Sequence, residues 1–227
     1  MVAEVFAVVV AAGRGTRMKG PDKQFIRLSG MPVLRRTLAA FERTPVITGI
    51  ILVISPEKFG EWDIILKNWG INKLRAVVPG GNVRQQSVMN GLLAVPFSCA
   101  TVLIHDGARP LVTPGEIEAV AAAAREHGAA TLAVPVKDTV KQADGQGFVE
   151  STPDRERLWL TQTPQGFSFS LLLEAHRRAV DAANATDDAS LVEMMGHRVK
   201  LVPGSYRNIK ITTPEDIYIA EALLKSM

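Results

Sequence analysis

The stretch "AAGRGTRMKGPDKQ", residues 11–24, holds three glycines and four cations, Arg14, Arg17, Lys19 and Lys23, against a single acid, Asp22. It follows the apolar run "VFAVVV", so the loop leaves the carboxyl end of a buried strand. Loops of this kind meet phosphate. Without a Cβ the backbone N–H groups approach an anion closely, and successive amides form a nest for it. Two familiar versions do not fit. Residues 13–20, "GRGTRMKG", depart from Gly-x-x-x-x-Gly-Lys-Ser/Thr. A dinucleotide fingerprint needs a third glycine where Met18 stands, and that glycine lets helix and strand pack tightly. The next helix starts only near Pro32, so the loop is longer than either motif. A long cationic loop wrapped round a triphosphate is one reading; a solvated surface loop is the other.

A second candidate lies in "TVLIHDGARP", which puts Asp106 and Arg109 at the end of another apolar run. Open α/β sheets bind ligands at the carboxyl ends of their strands. Asp106 there suits a ribose or Mg²⁺, with a turn-capping role as the alternative. The four histidines lack metal-site spacing.

These residues need a scaffold. Strands are expected over 5–10, 49–55, 73–79, 101–106, 130–136 and 198–204, most of them continuous apolar runs of the kind buried on both faces. Helices are expected over 32–43, 57–69, 83–94, 114–127, 168–182, 187–195 and 214–225. Thr113-Pro114 and Thr213-Pro214 read as N-caps followed by proline at the first helical position. The alternation predicts a doubly wound, mostly parallel α/β sheet with helices on both faces. Residues 137–161 break the rhythm. "DGQG" marks a turn between "TVKQA" and "FVEST", hence a hairpin arm. Such an arm is marginal alone in water. It must fold back on its own domain or pack against a second copy of the chain.

Composition narrows the classes. At 227 residues and 47% apolar, the chain suits one domain over 1–227. A net charge of +3 is too weak to imply nucleic acid. A lone cysteine, Cys99, excludes an internal disulfide and fits a reducing, cytoplasmic setting. No apolar run approaches the ~18 residues that span a bilayer.

The motifs "AAGRGTRM", "DKQF", "PGGNVRQQSV", "HDGARP", "PVKDTVK", "DRERLW", "QTPQGF", "TDDAS" and "NIKITTPED" occur in order over residues 11–216. Together they resemble the 2-C-methyl-D-erythritol 4-phosphate cytidylyltransferases of non-mevalonate isoprenoid synthesis. The resemblance implies a Rossmann-like nucleotidyltransferase fold whose arm forms a homodimer. It also implies cytidylyl transfer from CTP to methylerythritol phosphate, with Mg²⁺ and release of pyrophosphate. Arg17 and Lys23 match the family's stabilisers of the α-phosphate. Arg155 and Lys210 match the residues that hold the acceptor phosphate, and Arg109, Thr139, Thr163 and Thr186 match further acceptor contacts.

Backbone at Ala11, Ala12 and Gly13 and at Gly80, Gly81 and Asn82, with Ser87 nearby, suits reading of the cytosine edge. The family often has aspartate where Asn82 stands. Asp106 falls in the substrate and metal neighbourhood. His105 is expected to be structural, since an attacking phosphate is already ionised and needs no general base. A ribitol-5-phosphate cytidylyltransferase and a non-catalytic nucleotide-binding regulator are the alternatives.

Overall fold

The computed structural model describes residues 4–13, 25–59, 66, 68–179 and 185–226. The chain forms β1 (Glu4–Ala11), β2 (Arg27–Leu28), β3 (Met31–Pro32), α1 (Val33–Glu42), β4 (Gly49–Ile54), β5 (Leu74–Pro79), α2 (Arg84–Leu93) and β6 (Cys99–Asp106). It continues through α3 (Pro114–His127), β7 (Ala129–Pro135), β8 (Gln142–Ala143), β9 (Val149–Ser151), β10 (Trp159–Ser168), α4 (Phe169–Arg178), α5 (Asp188–Met194), β11 (Lys200–Pro203) and α6 (Pro214–Lys225). The helix expected over 57–69 falls mostly outside the described residues.

Seven strands make one sheet in the order β11-β7-β10-β6-β1-β4-β5. All pairings are parallel except those of β10, which runs antiparallel to both β6 and β7. The expected doubly wound sheet is therefore present, with one reversed strand inside it. Alternate residues of β1 serve two cores. Val5, Ala7 and Val9 pack with Leu38 and Phe41 of α1 and with Val120 of α3. Phe6 and Val8 pack on the other face with Leu92 of α2, Leu172 of α4 and Val192 of α5. Burying one such large side chain contributes about 1.5–3 kcal/mol, so a one-residue register slip would forfeit both faces at once.

The expected caps form. Thr113 Oγ1 accepts from the Glu116 N–H at 3.3 Å, and Thr113 N–H donates to Glu116 Oε2 at 2.9 Å. Thr213 N–H donates to Asp216 Oδ2 at 2.8 Å. The hairpin forms too: β8 pairs antiparallel with β9 across the "DGQG" turn.

Strand β10 is an element of the main sheet that the sequence patterning missed, as it missed the short pair β2 and β3. The centre of β10, "TQTPQG", lacks an apolar run, yet Gln162, Thr163 and Gln165 are 7%, 6% and 1% exposed. Each polar side chain has a partner, which removes the usual objection to burying it.

Candidate active site

Strand order reverses at β1, between β4 on one side and β6 on the other. Such switch points leave a crevice at the strands' carboxyl ends. Here that crevice is a cleft of about 630 Å³, lined by the ends of β1 and β6, the turn after β4, the start of α2 and Lys210.

Its apolar wall is main chain and small side chains. Ala11, Ala12, Gly13, Gly81, Asn82 and Ser87 line it. Gly80 stands behind them, its N–H on Ile54 O at 2.7 Å. A Cβ there would overlap that of Ala12, so glycine is what lets the two backbones approach. The Ser87 hydroxyl accepts from Gly81 N–H at 3.0 Å and donates to Val83 O at 3.1 Å. Gln86 Oε1 accepts from Asn82 N–H at 2.9 Å. Ser87 is 3% exposed, so its part is to hold the Gly-Gly-Asn turn in shape.

The polar wall centres on Asp106. Its Oδ2 lies 2.7 Å from Lys210 Nζ and 3.8 Å from Arg109 Nε, and its Oδ1 lies 3.5 Å from Arg84 Nε. Burial opposes the carboxylate's charge, but Lys210, Arg84 and Arg109 outweigh it and hold the group well below the usual carboxylate range. Asp106 is therefore ionised at neutral pH, within an excess of positive charge.

Sequence reasoning named Asp106, Arg109 and Lys210 and missed Arg84. One signal was available: Arg84 is the first residue of α2, where the helix dipole disfavours a cation. Its second partner explains it. Arg84 Nη1 lies 2.8 Å from Asp188 Oδ2, a carboxylate 1% exposed. Burial works against the guanidinium's charge, yet Asp188 and Asp106 raise its pKa above the ordinary arginine value.

Long-range contacts set these groups. Arg109 Nη1–H donates to Asn208 O at 2.7 Å, Asn208 Nδ2–H donates to Thr163 O at 2.9 Å, and Ile211 N–H donates to Ala108 O at 2.8 Å. These bonds staple the segment carrying Lys210 to β10 and to the loop after β6. Arg109 is turned into this staple and does not line the cleft.

His105 is wholly buried behind Asp106. A carbonyl can only accept, so the contact of its Nε2 with Arg109 O at 3.3 Å places the proton on Nε2. Nδ1 then accepts from the Thr163 hydroxyl at 3.1 Å, and that hydroxyl's oxygen accepts from Asp106 N–H at 3.1 Å. Desolvation pushes the ring's pKa down to about 3, overriding the nearby Asp106. The imidazole stays neutral above that value, so its NMR ring signals should be flat from pH 8 to pH 5. A titration midpoint near 6.5 would refute the desolvated, neutral ring. Thr163, expected to touch the acceptor, spends its hydroxyl on this network.

Arg155, Thr139 and Thr186 are exposed and none lines the cleft. Arg155 and Thr139 sit on the arm, where Arg155 Nη1–H donates to Lys137 O at 3.3 Å. Arg17 and Lys23 lie outside the described residues.

The sequence pattern of the 2-C-methyl-D-erythritol 4-phosphate cytidylyltransferases matches residues 5–226. The chain belongs to this family. The cytidylyltransferase of Pelotomaculum thermopropionicum is 51% identical over 226 residues, covering 98% of this chain and 95% of that protein. The bifunctional enzyme IspD/IspF of Desulforudis audaxviator is 55% identical over 227 residues, and this chain spans 57% of its length. A crystal structure of 4-diphosphocytidyl-2C-methyl-D-erythritol synthase from Anaerococcus prevotii superimposes with a TM-score of 0.87 at 35% identity, covering 98% of this chain and 96% of that one. Of the residues that the sequence motifs single out, Asp106 and Lys210 line the cleft, and Arg109 stands behind Asp106. No helix among the described residues is long and apolar enough to cross a membrane.

Proposed function

We propose that this cytidylyltransferase joins CTP to 2-C-methyl-D-erythritol 4-phosphate in the cleft at the β1–β6 switch point. The observation that carries the assignment of roles is Asp106 ringed by Lys210, Arg84 and Arg109 beside a wall of bare backbone. One oxygen of the acceptor phosphate attacks the α-phosphorus of CTP in line. The bond to the β-phosphate oxygen breaks, and pyrophosphate leaves with its electron pair. No covalent enzyme intermediate is needed, so catalysis consists of positioning and charge stabilisation.

The main chain at Ala11–Gly13 and Gly81–Asn82 reads the base. Arg17 and Lys23 supply positive charge for the α-phosphate; a guanidinium suits two phosphate oxygens and an ammonium acts as a point charge. Lys210 draws the acceptor phosphate to the mouth of the cleft. The alignment of the two phosphates is the residues' joint task.

Mg²⁺ fits this site as a passenger of the triphosphate. Among the described residues no three His, Cys, Asp or Glu side chains could hold a metal between them. One carboxylate, Asp106, with phosphate oxygens and water matches the preference of Mg²⁺ for a largely non-protein shell. When bound, the ion neutralises part of the triphosphate charge. Asp106 is the carboxylate of the cleft that would hold it.

The chain acts as a homodimer through residues 137–161. The arm's strands are two and three residues long, and Phe148 and Val149 are 69% and 61% exposed, as is Leu160 at 55%. A two-stranded ribbon with an uncovered apolar side needs another surface. A partner's arm laid over the cleft would bring its Arg155 and Thr139 to the acceptor, which neither reaches within one protomer. Deleting residues 142–151 should give monomers by light scattering, with a higher KM for the acceptor. A dimer that persists, or full acceptor affinity in a monomer, would refute the arm's role.

Incubation with CTP, Mg²⁺ and methylerythritol phosphate should release pyrophosphate, and excess chelator should stop it. Release with ribitol 5-phosphate instead would reassign the acceptor. Nucleotide binding with neither acceptor reacting would leave a regulator.

A further inference from the structure

One buried cluster takes no part in the chemistry above, yet it ends at the cleft. His176 of α4 and Asp188, the first residue of α5, have side chains 1% exposed each, and His176 Nε2 lies 3.0 Å from Asp188 Oδ1. The other oxygen of Asp188 faces Arg84 Nη1 at 2.8 Å. We propose that Asp188, steadied by His176, is the positioning residue that aims Arg84 at the bound CTP. The proposal rests on the reading of the cleft as the CTP site.

Arg84 lines the cleft and is about one-third exposed, so the end of the side chain that faces the cavity is free to meet a ligand. A guanidinium on a long stem loses rotamer freedom when it binds an anion, and a fixed partner removes that cost beforehand. Asp106 is a poor anchor for it: the contact is 3.5 Å, and Lys210 holds the same carboxylate at 2.7 Å. Asp188 is the better one: it is dry, bonded to His176, and its chain neighbours on both sides are tied to β10. Gln165 Nε2–H of β10 donates to Asp187 Oδ2 at 2.7 Å, and Gln165 Oε1 accepts from Ala189 N–H at 3.2 Å. Asp187 also caps α5 through Ser190 N–H at 2.9 Å. The first turn of α5, and Asp188 with it, is thus bolted to the sheet. Burial raises the cost of the Asp188 charge, but Arg84 and His176 more than offset it and keep the carboxyl below the usual range. A buried carboxylate of this kind is a weak source of stability and a strong determinant of where its partner sits.

Steady-state pyrophosphate release with CTP, Mg²⁺ and methylerythritol phosphate tests the idea on Asp188→Asn, Arg84→Ala and the double variant. Asp188→Asn should raise KM for CTP about tenfold, with the KM of the acceptor within about twofold, and should add less than about twofold in the Arg84→Ala background. His176→Gln, which retains a donor to Asp188, should bind CTP nearly as the parent does. His176→Leu should lose part of the affinity, and this pair decides the matter if Asp188→Asn does not fold. An Asp188→Asn effect that persists without Arg84, or that falls equally on both substrates, would overturn the proposal. So would an Asp188→Asn variant of unchanged CTP affinity and lowered melting temperature. Arg84→Ala with unaltered CTP affinity would also overturn it while parent turnover stands. Absence of pyrophosphate release by the parent protein would instead defeat the reading of the cleft.

Discussion

Asp106→Asn should lower kcat by about 10²–10³-fold and raise the Mg²⁺ concentration needed for half-maximal activity at least about tenfold, without unfolding the protein. The substitution keeps size and shape and removes one negative charge. What it removes is the centre of a set of three cations, Lys210 at 2.7 Å, Arg84 at 3.5 Å and Arg109 at 3.8 Å. Without the carboxylate these repel one another in a partly desolvated cleft, and Lys210, whose ion-pair partner among the described residues is Asp106, takes up a new position. Preorganised charge is worth most where it cannot relax, and losing one such contact costs about 3–4 kcal/mol of transition-state stabilisation. The fold should survive because Lys210 and Arg84 keep 36% and 32% of their side chains in water. A Mg²⁺ titration of pyrophosphate release, beside a thermal melt, checks both halves. Activity and Mg²⁺ requirement within about threefold of the parent would show that Asp106 organises nothing at the cleft.

Lys210→Ala should lower kcat/KM for the acceptor by about 10²–10³-fold while KM for CTP changes less than about threefold. Its ammonium is the cation at the cleft mouth with no second carboxylate, since Asp106 is its one ion-pair partner among the described residues. Its loop is held independently by the Asn208 and Ile211 bonds, so truncation leaves the backbone in place. The loss is then of charge alone. Arg155→Ala should differ in kind: its main effect is a higher KM for the acceptor, because an exposed arm residue contributes to capture more than to the reacting geometry. Dual-substrate kinetics on the two variants separates the roles. Equal loss of CTP and acceptor affinity in Lys210→Ala would place that lysine on the triphosphate instead.

Much of this was legible in the residues. Continuous apolar runs such as "GIILVI" have one home, a strand buried on both faces, and they announced the doubly wound sheet. Thr-Pro pairs before helical periods gave α3 and α6 their starts, because a cap and a proline act within one turn of chain. "DGQG" marked the arm for the same local reason. "HDGARP" after an apolar run placed Asp106 at the carboxyl edge where ligands bind.

Strand β10 and the pair Asp188–His176 were not legible, for one physical reason. Local pattern reports how a segment meets water, and these polar residues are buried by partners far along the chain. Gln165 makes sense only once Asp187 and Thr131 surround it, at 22 and 34 residues' separation. Arg84 at a helix start is unfavourable until Asp188 stands 2.8 Å away. By itself the sequence determined most of the sheet, its caps and the hairpin, since short-range sterics and periodicity carry these, and its resemblance to a family implied the type of chemistry. The tertiary structure alone decided the reversed polar strand, the neutral state of His105 and the grouping of cations round Asp106. Each depends on desolvation and on contacts between residues distant in the chain, which no local pattern records.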